Sequence, residues 1–151
     1  MAETSKYNVS KKTDNRTYDG IIFDSAVEMK FYKEVVIPGV KKGTITSFEL
    51  QKKFELQPKF KHKGKLYKEI SYIADFVLTY PDGHIDVIDI KGMPDHVAPI
   101  KRKLFCYKFQ SINLYWVCYS KLDGGWCTYE HLKAQRSKRK REKAKKAKKE
   151  K

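Results

Sequence analysis

The chain reads as an α/β domain followed by a basic tail, in the order helix, three strands, helix, strand. Three observations predict this. Ser25 and Glu28 have capping-box spacing, and Val27, Phe31 and Val35 then recur at helical intervals. Two apolar runs, 70–80 and 85–91, flank Pro81-Asp82-Gly83, a sequence suited to a tight turn. Beyond them Ile100, Leu104, Tyr107 and Ser111 mark a second helix, and 112–120 forms an apolar strand.

At 151 residues, 40% hydrophobic and 13% aromatic, the chain has room for one domain with a modest core. Its net charge of +15 is uneven. Residues 133–151 carry twelve Lys/Arg against two Glu, a net +10, which leaves +5 for the rest. That imbalance points to a polyanionic partner, nucleic acid first. Cys106, Cys118 and Cys127 are odd in number and lack CxxC spacing, and the four histidines are scattered, so neither a disulfide framework nor a zinc site is implied. Cys106 and Cys118 stand among apolar neighbours and are expected to be buried thiols. The longest apolar run, 114–119, is too short to span a bilayer and no hydrophobic leader is evident, so an intracellular protein without membrane association is expected.

Residues 1–19 are polar and predict a mobile arm ahead of a folded domain at 20–132. The first helix should stop near Val36, because Pro38-Gly39 follows. Phe48-Glu49-Leu50-Gln51 is nearly repeated as Phe54-Glu55-Leu56-Gln57; the second copy continues through Pro58 as a strand, and the proline places it at an edge or a bulge. Residues 62–65 read as a turn and 66–80 as a central strand covered on both faces. After a loop at 93–96, Pro99 suits a first helical turn, and Phe105, Cys106 and Phe109 predict a well-buried helix. Lys101, Arg102 and Lys103 crowd its first turns, where cations oppose the helix dipole. A phosphate backbone would explain them; a solvated charged turn is the alternative. Residues 122–125 are a turn, and 126–129 either an edge strand or the start of a last helix. In the tail at 133–151, which includes Lys138, Arg139, Lys140 and Arg141, like charges oppose helix formation. It is expected to stay disordered until a polyanion orders it.

The turn sets the register of the hairpin. Pro, Asp and a left-handed Gly suit a three-residue loop at 81–83, which pairs Tyr80 with His84 and places Asp75 opposite Asp89. Lys91 then projects from the same face. A two-residue loop would slip the register by one and separate the acids. Two carboxylates ~5 Å apart repel by roughly 3 kcal/mol at an effective dielectric near 20. A divalent cation would turn that repulsion into a binding site. The alternatives are a protonated Asp75 or an acid that escapes to solvent. Asp86 falls on the opposite face. Glu28 lies along the apolar edge of its helix, where the capping box with Ser25 accounts for it.

Asp75, then Asp89-Ile90-Lys91 after a hairpin, resembles the motif of the PD-(D/E)xK nuclease superfamily. Gln57-Pro58 upstream and Lys91-Gly92 at the strand end resemble a small phage-type group of endonucleases within it, similar in size and layout to junction-resolving enzymes. The resemblance covers about residues 16–120 and implies an α-β-β-β-α-β restriction-endonuclease-like core, a mixed sheet flanked by helices. It further implies an Mg²⁺- or Mn²⁺-dependent endodeoxyribonuclease with Asp75, Asp89 and Glu28 as metal ligands and Lys91 beside them. As a ligand Glu28 would give up its capping role, since the two exclude each other geometrically. Gln57 would lie near the acids and contact DNA, with a surface amide as the alternative. Lys101–Lys103 and the tail cations would contact DNA, branched or duplex, cut by a homodimer during phage recombination or packaging. The location would be the cytoplasm of a bacterial host. Alanine precedes Asp75 where the family commonly has proline, and Asp89 stands where glutamate is commoner; neither removes a ligand. The competing reading is a non-catalytic basic nucleic-acid-binding protein.

Overall fold

A computed structural model describes residues 13–149, and the first twelve residues of the expected arm lie outside it. A mixed five-stranded sheet, whose strands run in the spatial order 47–57, 70–79, 85–90, 113–120 and 125–128, is flanked by helices on its two faces. The part of the arm that is described is folded. β1 (Thr17–Tyr18) and β2 (Ile21–Ile22) form a hairpin over Asp19 and Gly20, both at positive φ, and Arg16 donates to the Phe23 carbonyl.

Ser25 opens α1 (Ala26–Phe31), and its hydroxyl accepts the Glu28 N–H at 3.2 Å. The helix does not stop at Val36. It widens into a π-helical turn over Tyr32–Val36, where the Ile37 N–H bonds to the Tyr32 carbonyl, and resumes as α2 (Ile37–Lys42). Pro38 therefore falls in the first turn of a restarted helix, where its missing N–H costs no bond. Gly39 is required by close approach, since a Cβ there would stand 2.5 Å from Ile45 Cδ1. The left-handed Gly43 ends the helix.

Both copies of the near-repeat belong to one edge strand, β3 (Ser47–Gln57), which bulges between Glu55 and Gln57 just before Pro58. The expected central strand is divided. Lys65–Tyr67 (β5) pairs with Phe60–His62 (β4) as a separate ribbon, and the central strand proper is β6 (Ile70–Thr79). β6 turns through Pro81-Asp82-Gly83 into β7 (Ile85–Ile90), with Gly83 at φ 86° and the Tyr80 N–H bonded to the His84 carbonyl. The pairs Phe76–Ile88, Val77–Val87, Leu78–Asp86 and Thr79–Ile85 follow the expected register. From β7 the chain crosses through α3 (Ala98–Lys108) to β8 (Asn113–Ser120), which lies parallel to β7. β9 (Gly125–Thr128) is the second edge, and α4 (Tyr129–Lys149) follows it directly, so 126–129 supplies both an edge strand and a helix start.

Two expectations about the helices change. The tail is helical: its first turn is pinned by buried Leu132 and by Thr128, whose hydroxyl accepts the His131 N–H, and Arg139 grips Asp123. Anchorage at one end lets the strong helix propensity of Ala, Lys and Arg carry the rest, so the expected boundary at residue 133 falls inside α4. In α3 only Phe105 is fully covered. Ile100 is 61% and Tyr107 78% exposed, and Cys106, expected to be buried, faces solvent. The helix lies on the sheet by the Phe105–Phe109 side instead, where Phe54 and Tyr72 meet it.

The core has two halves. Phe31, Tyr32 and Val36 pack with Phe76, Leu78 and Ile88 on the α1 side; Phe105 packs with Phe54, Tyr72, Ala74, Val77 and Val87 on the α3 side. Even-numbered residues of β6 thus change core between Ala74 and Phe76. The crossover falls at Asp75, opposite Gln51, whose φ of 50° kinks β3 between the pairs Leu50–Phe76 and Lys52–Ala74.

Candidate active site

The kink concentrates the chemistry. The β6–β7 ladder ends at the Phe76–Ile88 pair, and just beyond it the carboxyl groups of Asp75 and Asp89 lie close enough to interact. The Ile90 N–H donates to Asp75 Oδ2 at 2.7 Å, so a side-chain oxygen takes the place of a strand acceptor there. Asp89 is buried. Its Oδ2 accepts the Tyr72 hydroxyl at 2.5 Å and pairs with Lys91 Nζ at 2.9 Å. Lys91 is fixed by its backbone, since its N–H donates to the Val117 carbonyl and its own carbonyl accepts the Cys118 thiol. Its ammonium also stands 5.6 Å from the centre of the Trp116 ring.

Glu28 comes to this site from α1. Its Oε1 accepts the Ser25 hydroxyl at 2.9 Å, while Oε2 is buried without a partner. Ser25 thus caps α1 through the Glu28 N–H and also holds one carboxylate oxygen of Glu28, while the second oxygen is buried without a partner.

The acids shift one another. Burial, then the charges of Glu28 and Asp89, push the Asp75 carboxyl up to about 8. Burial is also the main reason that Glu28 rises to about 7, with the Ser25 hydrogen bond working the other way. Burial and the Asp89 charge likewise raise the Tyr72 phenol, which stays a donor. Among the described residues, Lys91 alone meets this concentration of negative charge with a direct ion pair.

Three further side chains join the acids, and one of them, Tyr72, escapes period-2 reading. Tyr72 and Asp75 would face opposite sides of a regular strand; the crossover lets Tyr72 reach Asp89 from the α3 side. Trp116 Nε1 donates to the Tyr72 hydroxyl at 3.0 Å and holds it in place. Gln51 Nε2 donates to Asp75 Oδ1 at 3.1 Å. Gln57, expected beside the acids, pairs with Ile70 at the far end of β6, and the first copy of the repeat supplies the amide instead. No sequence signal singled out Gln51, whose positive φ is a product of the fold.

The basic candidates divide. Arg102 is paired with Glu130 and lies 4.5 Å over the Trp116 ring, so it braces the site from behind. Arg139 is held by Asp123, whose carboxyl it keeps down at about 2. Lys103, Lys138, Lys140 and Arg141 are exposed, and Lys101 is half-buried. Asp95 Oδ1 accepts the Val97 and Ala98 N–H groups at the start of α3, which offsets the unfavourable cations there.

A hard divalent cation suits these residues. The donors are all carboxylate oxygens, one of them is buried without a partner, and two of the acids resist ionisation in the absence of a counter-charge. Among the described residues, no three His, Cys, Asp or Glu side chains converge as a ready-made cage. Mg²⁺ accepts one or two carboxylates and completes its shell with water and phosphate oxygens, which the Asp75–Asp89 pair can satisfy. No helix among the described residues is long and apolar enough to cross a membrane. The chain belongs to a family described as a protein of unknown function (DUF1064), whose profile matches residues 4–123. No curated protein matches it.

Proposed function

We propose that the chain is an Mg²⁺- or Mn²⁺-dependent DNA endonuclease. The observation that carries this reading is the unpartnered, buried Glu28 Oε2 beside an Asp75–Asp89 pair that a single lysine answers. Asp75 and Asp89 would hold the ion, with Glu28 as a further ligand directly or through water. When bound, the ion supplies an activated water and neutralises charge on the leaving 3′ oxygen. Lys91 presents an ammonium for the non-bridging oxygens of the scissile phosphate, where charge grows in the transition state. The Ile90 N–H and the Tyr72 hydroxyl fix the two aspartates before substrate arrives, which limits reorganisation during the reaction.

The basic charge of this small domain and its helical extension acts on phosphates irrespective of sequence, which favours recognition of DNA shape. Branched DNA cut by a homodimer, in phage recombination or packaging, is the reading that the resemblance to junction-resolving enzymes supports. The test is incubation with linear duplex, single-stranded, flapped and four-way DNA, with Mg²⁺ and with EDTA. Mg²⁺-dependent cleavage that is lost in Asp89→Asn supports the enzyme, and faster cleavage of the branched forms supports shape selection. A second reading, a basic nucleic-acid-binding protein without catalysis, is favoured by α4, whose residues 133–149 carry eleven Lys/Arg and one acid. It predicts salt-sensitive binding and intact DNA under all these conditions.

A further inference from the structure

The β4–β5 ribbon belongs to neither half of the core. It is a two-stranded sheet of its own, joined by a two-residue turn at Lys63 (φ 47°) and Gly64 (φ 78°), and every residue from 58 to 69 is exposed. An isolated pair of strands is marginal in water. This one carries Lys59, Lys61, Lys63, Lys65 and Lys68, with Glu69 as the one acid of the stretch, and that acid is engaged by Lys53 at 3.0 Å. Phe60 and Tyr67 pair across the strands with their rings stacked 5.0 Å apart, 43% and 38% exposed, and Leu66 is 57% exposed. Burial of the rings against the domain would account for a structural ribbon, and it does not occur.

We infer that this ribbon is a nucleic-acid-binding arm that enters a groove of duplex DNA. A two-stranded β-ribbon is one of the two elements that fit the major groove. Its charge is complementary to the phosphates on either side of a groove, and its tip, Lys63-Gly64, has no bulky side chain beyond the lysine stem. On one face, Phe60 and Tyr67 continue into His62 and Lys65, which combines apolar contact near the strand ends with cationic groups near the tip. The lysines supply affinity through counterion release, and the rings supply contact with sugars or base edges. The arm acts in binding and does not require that the acids hydrolyse anything.

Binding of the full chain to a labelled 20-base-pair duplex is measured by fluorescence anisotropy in EDTA across a salt series. Replacing Lys61, Lys63 and Lys65 by Gln should weaken binding at least tenfold at about 0.1 M salt and lower the slope of log K against log salt by about 2–3, at ~0.9 for each phosphate no longer neutralised. Phe60→Ser with Tyr67→Ser should weaken binding with the slope unchanged. The control replaces Lys41, Lys42 and Lys121, exposed elsewhere, by Gln. An equal loss in the control, an unchanged slope in the ribbon variant, no duplex binding by the wild type, or tighter binding of single strands than of duplex would each overturn the inference. If a triple variant unfolds at a lower temperature, Lys63→Gln alone, at the tip, is read for a slope change of about one. Because the assay contains EDTA, it reads the arm whether or not the chain cleaves DNA.

Discussion

Asp86 and Asp89 are the same residue type on one six-residue strand, three positions apart, and they live in different worlds. Asp86, near the turn of the hairpin, accepts the Asn113 amide at 2.9 Å and has the exposed His84 ring 3.9 Å away. Asp89 is 5% exposed, takes the Tyr72 hydroxyl and the Lys91 ammonium on one oxygen, and stands near a second aspartate whose ionisation is opposed by burial, then by Glu28 and by Asp89 itself. Strand parity alone separates them. The hairpin teaches that the surroundings of an acid are set by what the fold gathers about it, since chain position and residue type are nearly matched here.

The largest expected effect tests that contrast directly. Asp89→Asn should reduce Mg²⁺-dependent cleavage by at least about a thousandfold while Asp86→Asn stays within about twofold, measured as initial rates on four-way DNA; equal losses would erase the distinction. Lys91→Met comes next. It removes the ammonium and leaves a buried carboxylate with one hydroxyl, so cleavage should fall by roughly a hundredfold and stability by about 1–3 kcal/mol in thermal unfolding.

The third effect concerns pH. Asp75 and Glu28 have folded values raised above their unfolded ones, so the folded state binds more protons than the unfolded state between about pH 4 and 8. The stability they contribute is fully present below the unfolded values and is lost as pH rises through about 7–8. Cation-free protein should therefore melt several degrees lower at about pH 8.5 than at about pH 5.5. Asp75→Asn should flatten that decline, and Mg²⁺ should restore the wild type at high pH by up to ~2.7 kcal/mol at a hundred times its Kd. Calorimetry in EDTA and in Mg²⁺ checks both; a melting point that rises with pH would contradict the assignment. Smallest is Gln51→Ala, which gives up one exposed hydrogen bond to Asp75 and should cost under about 1 kcal/mol and a few-fold in rate, while Gln57→Ala does nothing measurable.

What could be read from the sequence follows from how local each determinant is. Pro81-Asp82-Gly83 dictates its own loop, and the loop dictates the register, so the pairing of β6 with β7 and the meeting of Asp75 with Asp89 were legible. The helix end was not, because Pro38 is a stop signal only while the helix keeps its α spacing, and the π-turn at Tyr32–Val36 resets it. The roles of Tyr72 and Gln51 depend on a crossover between two half-cores, a tertiary event that leaves strand periodicity intact on either side. The tail departs from expectation for the opposite reason. Its local repulsion is real, and anchorage at Leu132 and at Arg139, the latter sixteen residues from its partner Asp123, outweighs it.

The uncovered side of α3 has a colloidal consequence. Ile100, Leu104 and Tyr107 stand in water on a molecule of charge +15, so attraction between like stripes is opposed by repulsion between like ions. At low ionic strength the long-range force wins and copies stay apart. Past about 0.15 M salt, where the Debye length falls to ~8 Å, the short-range force is left in command. Added salt should then strengthen the solution's light scattering rather than weaken it, the reverse of what screening does to a complex held by opposite charges.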